Sequence, residues 1–187
     1  MNVLTTTLPG VLLLEPVVHR DARGFFLESA RDHVLKAAGI HEALVQDCHS
    51  RSQAGVLRGL HFQWPGAQGK LVRTLRGRVF DVVVDIRRDS PYFGRWLGVE
   101  LDDVLHRQLW IPSGFAHGFC VLSEVADVAY RCSRYYEPAA ERGIAWNDPE
   151  LAIAWPGQDW ILSARDRALP PLATLSADEL PLMPSAR

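Results

Sequence analysis

From Val11 to Cys132 the chain is written in short runs of β-branched, aromatic and leucine residues, broken at close intervals by Gly, Pro or Asp. Many short runs bounded by turn residues predict a sandwich or barrel of strands. The stretch from Lys70 to Asp85 alternates apolar and polar side chains and is interrupted at Gly77, so it predicts two strands meeting there in a hairpin or sharp bend. Asp81 and Asp85 fall on one face of the second strand, where pairing with arginines on neighbouring strands accounts for both. Further strands are predicted over 96–101, 108–111, 118–122 and 125–132, with Pro112-Ser113-Gly114 as a turn between them. One helix is predicted: Ser29 and Asp32 have capping-box spacing, the helix runs through His33 to Ala38, and Gly39 stops it. After Pro138 periodicity weakens, which predicts loops and short helical turns packed on the barrel and, past about residue 170, a loosely packed tail. The expected fold is mainly β, a double-stranded jelly-roll barrel with a few short helices, in one domain spanning 1–187.

Composition narrows the function classes more than the fold. The 187 residues are 48% hydrophobic and 22% charged, with a formal net charge of -2, the profile of an ordinary globular chain. Without a clustered basic surplus, nucleic acid is not an expected partner. The cysteines, Cys48, Cys120 and Cys132, are odd in number and lack metal-site spacing, so neither a disulfide framework nor a zinc site is predicted and a reducing cytoplasm is the expected location. No cationic segment precedes a long apolar one near Met1, and no apolar run approaches the roughly 18 residues of a membrane span.

The chemistry is concentrated in two clusters. Neither a GxGxxG turn nor a GxxxxGK[ST] loop occurs, which removes the usual machinery for dinucleotide cofactors and phosphoryl transfer. Instead Arg58-Gly-Leu-His61-Phe-Gln63, with Gly69-Lys70 close behind, is followed later by Pro112-Ser-Gly-Phe-Ala-His117-Gly-Phe. The order resembles the two motifs of a cupin barrel. Metal-binding cupins need two histidines and a carboxylate in the first motif, because divalent transition metals favour those ligands. Here Gln63 replaces the second histidine and Lys70 would repel a cation, so no metal and no cofactor is expected. The groups that remain suit proton chemistry. His61 can act as a base near neutral pH, Lys70 or His117 can support a developing oxyanion, and Tyr130 can serve as an acid if the face it shares with Val128 and Cys132 is inward. Taken singly, His61 reads as a structural histidine, Tyr130 as a strand aromatic, and Asp166 as the capping-box partner of Ser163. Two rival classes are a metal-dependent cupin oxygenase or isomerase, opposed by Gln63, and a non-catalytic sugar-nucleotide-binding barrel, opposed by the presence of base, oxyanion group and acid together.

Taken jointly, Val45-Gln-Asp-Cys-His-Ser-Arg-Ser52, Gly55-Val-Leu-Arg-Gly-Leu-His-Phe-Gln63, Gly69-Lys-Leu-Val-Arg73, Val79-Phe-Asp-Val-Val-Val-Asp-Ile-Arg87, Ile111-Pro-Ser-Gly-Phe-Ala-His-Gly-Phe119 and Trp146-Asn-Asp-Pro149 resemble the signature of dTDP-4-dehydrorhamnose 3,5-epimerases. The resemblance spans about Gly10 to Pro170. It implies a homodimer acting on a dTDP-linked 4-keto-6-deoxy sugar without a cofactor, with His61 as base held by Asp166, Tyr130 as acid, and Lys70 facing the C4 oxygen. It further implies that Arg23, Glu28, Gln46, Asp47, Cys48, Arg58, His117, Glu141 and Arg165 line the sugar-nucleotide site. Cys48 stands where the family pattern has asparagine, and Arg165 where lysine is common. Relatives that invert one centre only share the same catalytic residues, so a C3 or C5 epimerase is the alternative.

Overall fold

The computed structural model describes residues 1–183. Two antiparallel sheets face one another and form the jelly roll. The first has six strands in the order β1 (Asn2–Thr5), β2 (Leu12–Glu15), β10 (Gln108–Ile111), β7 (Lys70–Arg76), β12 (Val125–Cys132) and β5 (Gln46–Gln53). The second has five, in the order β13 (Glu141–Gly143), β6 (Leu57–Gln63), β11 (Phe115–Val121), β8 (Arg78–Asp85) and β9 (Trp96–Asp102). A separate hairpin, β3 (Val18–Asp21) with β4 (Gly24–Leu27), stands apart from both sheets.

Strand alternation places the core. Val72, Leu109, Ile111, Ala126 and Val128 of the first sheet meet Val79, Val83, Leu101, Phe119 and Val121 of the second. Complete burial of a valine or leucine contributes about 1.5–3 kcal/mol, so this inter-sheet layer is the main cohesive element. The opposite faces are covered too. Leu60, Phe62, Val82 and Val84 pack under Ile144, Leu151, Leu172 and Leu180, while Leu14, Leu71 and Trp110 pack under Leu35 and Ile40. Of the tail expected to pack loosely past residue 170, residues 171–181 are packed: Leu172 and Leu180 are 5% and 6% exposed, and Arg88 N–H donates to the Pro181 carbonyl; residues 184–187 lie outside the described residues.

The two strands predicted to meet at Gly77 do so, and the join is a bend that carries the chain from one sheet to the other. Gly77 has φ +76, and a side chain there would run into the Val125 carbonyl. The helix α1 covers Asp32–Ala37, ending before Gly39 at φ +87. Its N-cap is Arg31 and not Ser29, with no side-chain cap. The Ser29 carbonyl is instead bound by the Gln108 side chain, which fixes the chain there before the helix starts. After Pro138 the expected short helical turns are present, including α2 (Ala164–Arg167), but so is the strand β13, formed because its backbone completes the free edge of β6.

Candidate active site

The site lies between the sheets, and its first element is β6. His61 sits between two neighbours, opposite His117 on β11 and Gly143 on β13. Gly118 lets β11 come close: a Cβ there would stand 2.6 Å from the Arg58 carbonyl oxygen. His61 Nε2 is 2.7 Å from Asp166 Oδ1, a contact spanning 105 residues of sequence. The carboxylate is delivered by α2, whose start is set by Ser163: its hydroxyl accepts from the Asp166 N–H at 3.0 Å. Asp166 thus meets His61 through its carboxylate and Ser163 through its backbone N–H, without the reciprocal bond of a full capping box. Burial works to raise the Asp166 pKa, but contacts from His61, Ser163 and the Gly59 backbone overcome it and hold the carboxyl below its usual range.

A second histidine–aspartate pair lies beside the first. His117 Nε2 is 2.9 Å from Asp81 Oδ2 and 3.0 Å from Oδ1, and both residues are buried. Asp81 was not among the sequence-derived site residues, and its expected arginine partner is not what it binds. The available signal was a carboxylate in the apolar run Val79–Val84 of a central strand, since a fully buried charge must have a partner. Asp85 does pair with an arginine, Arg87, two residues on at 2.5 Å, and also accepts from Ser90.

Lys70 and Tyr130 come from the opposite sheet. Tyr130 packs at the edge of the inter-sheet core on the same face as Val128, which settles the inward direction of that face. Lys70 Nζ stands 5.9 Å from the centre of the Tyr130 ring. Burial lowers the Lys70 pKa, partly offset by Cys132, Asp81, Glu141 and Cys48. Burial raises that of Tyr130, with Cys48 and Cys132 adding to the shift, so the phenol is protonated at neutral pH. His61, His117, Lys70, Tyr130 and Arg58 line one cleft of about 480 Å³. His61, Lys70 and Tyr130 also border an adjoining space of about 300 Å³ that includes Gln46, Cys48 and Glu141. The imidazoles form one wall and the phenol with the ammonium the other.

The sequence profile of the dTDP-4-dehydrorhamnose 3,5-epimerase family matches residues 5–174. The chain belongs to that family. A dTDP-4-dehydrorhamnose 3,5-epimerase of Shigella flexneri is 54% identical over 168 residues, 89% of this chain and 93% of the relative. The crystal structure of dTDP-6-deoxy-D-glucose-3,5-epimerase from Legionella pneumophila, in complex with dTDP-4-keto-L-rhamnose, superposes with a TM-score of 0.96 at 49% identity, covering 98% of this chain and 99% of that one. ChmJ, a 3'-monoepimerase from Streptomyces bikiniensis crystallised with dTDP-quinovose, superposes at 0.88 with 36% identity, covering 95% and 91%.

Not every residue that the family resemblance implied is brought to the cleft of this epimerase-family chain. Arg58, Gln46, Cys48, Glu141 and Arg165 border it. Arg165 Nη1 and Glu141 Oε2 pair at 2.7 Å across its rim, and Tyr136 donates to the same carboxylate. Asp47 points the other way: β5 alternates, Gln46 and Cys48 face inward, and Asp47 is exposed and paired with Arg131 at 3.0 Å. Arg23 and Glu28 are also away from His61. Arg23 is tied to Asp21 in the exposed β3–β4 hairpin, and Glu28 to Arg31 beside it. Gln63, at the position of a cupin's second metal histidine, is spent on structure: its amide donates to the Gly66 carbonyl and accepts from the Glu137 N–H. Among the described residues no three His, Cys, Asp or Glu side chains converge in a way that could hold a metal ion.

Proposed function

We propose that the chain epimerises dTDP-4-dehydro-6-deoxy-D-glucose at C3 and C5, giving dTDP-4-dehydro-L-rhamnose. The observation that carries this is the opposition of His61 with Asp166 on one wall and Tyr130 on the other. Asp166 accepts from His61 Nε2, which leaves Nδ1 with its lone pair as the base. Hydrogens at C3 and C5 both flank the C4 carbonyl, so their removal yields an enolate whose charge rests on the C4 oxygen. Lys70 stabilises that oxygen, with His117, held by Asp81, beside it. Tyr130 then delivers a proton to the opposite face, and each centre is inverted in turn. No redox step occurs, since the electron pair returns to carbon. The donor set supports a metal-free route: one imidazole committed to Asp166, an ammonium, and Gln63 locked in backbone bonds.

Arg58 and Arg165 supply positive charge for the diphosphate. Arg23 and Glu28 do not line the cleft of their own chain, so in the same reading they reach a site only from a second copy, for which Phe25 and Phe26 of the hairpin, 55% and 66% exposed, offer an apolar surface. We therefore propose a homodimer in which the hairpin of one protomer closes the cleft of its partner. No helix among the described residues is long and apolar enough to cross a membrane. The three free cysteines support the reading of a reducing, cytoplasmic location.

A reading as a single-centre epimerase is favoured by the likeness to the 3'-monoepimerase. Proton NMR of the keto sugar in heavy water separates the two. Exchange and inversion at both C3 and C5 are expected; exchange confined to one centre establishes the alternative, and exchange at neither rejects both. Activity should survive chelation and dialysis unchanged, and a stoichiometric metal that restores lost activity would refute the metal-free route.

A further inference from the structure

Cys48 lies directly opposite Tyr130 in the β5–β12 pairing, on the same inward face. Its sulfur is held from one side by Gln46, whose amide Nε2 donates to Sγ at 3.2 Å. The orientation of that amide is fixed: Gln46 Oε1 accepts from the Tyr136 backbone N–H at 2.8 Å, and a backbone N–H can only donate. On its other side Cys48 borders the adjoining space together with Tyr130 and Cys132, and the opposed register sets its side chain beside that of Tyr130. A line of neighbouring groups thus runs from the backbone of the Tyr136 loop through Gln46 and Cys48 to the proposed acid. Sulfur is a weak acceptor, so it can rest against a phenol without holding its proton as an amide oxygen would.

We propose that Cys48 is a positioning residue for the reprotonation step, keeping the Tyr130 hydroxyl aimed into the cleft and free to give up its proton. This rests on Tyr130 being the opposite-face acid, and it departs from the substrate-contact role that the family pattern implies for this position. A positioning residue acts on the second half-reaction alone. Loss of the thiol leaves His61 able to remove protons, so solvent exchange continues while inverted product falls.

The test is Cys48→Ala and Cys48→Ser, assayed in heavy water for exchange and for inverted product, with the Tyr130 Cζ resonance followed in substrate-free, 13C-tyrosine-labelled protein and assigned through Tyr130→Phe. In Cys48→Ala the ratio of inversion to exchange is expected to fall about 5- to 10-fold, the worth of one modest polar contact. KM should stay within about twofold, the Cζ resonance should move, and Cys48→Ser should recover part of the ratio. A raised KM with exchange and inversion falling together would make Cys48 a substrate contact and overturn the proposal. So would an unchanged ratio, or an unmoved Cζ resonance. Wild-type protein that exchanges no sugar proton would overturn the proposed reaction itself, and the Cζ comparison would still report whether the thiol and phenol are coupled.

Discussion

His61 and Tyr130 divide the proposed reaction between two walls, so their substitutions should have different signatures. His61→Ala is expected to lower exchange at both C3 and C5 by about 10²- to 10⁴-fold, the usual contribution of a general base. Tyr130→Phe keeps the ring that packs on the core edge and removes only the hydroxyl. Inversion should then fall by a similar factor while exchange falls far less, and equal losses would show that the phenol is not the opposite-face acid. Circular dichroism of both variants guards against misfolding. Lys70 carries the pH dependence. Burial depresses its pKa, so its charge is complete only below that depressed value and is lost as pH rises through it. An alkaline decline in kcat is expected below the usual lysine range of about 10.4. In Lys70→Arg that limb should disappear, since a guanidinium stays charged, although the shape change lowers the maximal rate.

At the level of elements, the carboxylate proposed to hold His61 depends on a one-turn helix. The helix α2 has four residues, too few to be stable alone, and begins where Ser163 caps the Asp166 N–H. Ser163→Ala should cost about 1 kcal/mol of stability, read by chemical denaturation. The kinetic consequence is more specific: kcat should fall several-fold with little change in KM, because the imidazole loses its fixed partner while the cleft keeps its shape. Restoration by Ser163→Asp, another good cap, would tie the loss to helix geometry. The pair between Arg165 on the same helix and Glu141 on β13 adds a second tether.

The whole molecule leaves one element without a home. The β3–β4 hairpin touches its own chain through a few contacts, including Arg20 with the Val104 carbonyl at 2.7 Å and Phe25 stacked on His106 at 4.4 Å. Exposed Val17, Phe25 and Phe26 make it a costly surface in water unless a partner covers it. Light scattering is expected to give a dimer. Phe25→Ser combined with Phe26→Ser should shift it toward monomer and raise KM at least about 10-fold, because in the proposed dimer Arg23 and Glu28 then leave the partner's cleft. A fully active monomer would sink this assembly.

Strand positions, the bend at Gly77 and the inward face of β12 follow from period-two alternation and glycine placement, which are local properties of the chain. The same alternation, applied to Gln46-Asp47-Cys48, separates Asp47 from its neighbours, a separation that motif resemblance by itself obscured. That His61, Lys70 and Tyr130 share one cleft was legible in part, from the broken metal motif for the first two and from the inward strand face and the family resemblance for the third. Tertiary structure decided the partnerships. His117 with Asp81 and His61 with Asp166 join side chains 36 and 105 residues apart. Local pattern says which face a residue occupies, but a hydrogen bond is set by which strands become neighbours and by how closely glycines let them approach.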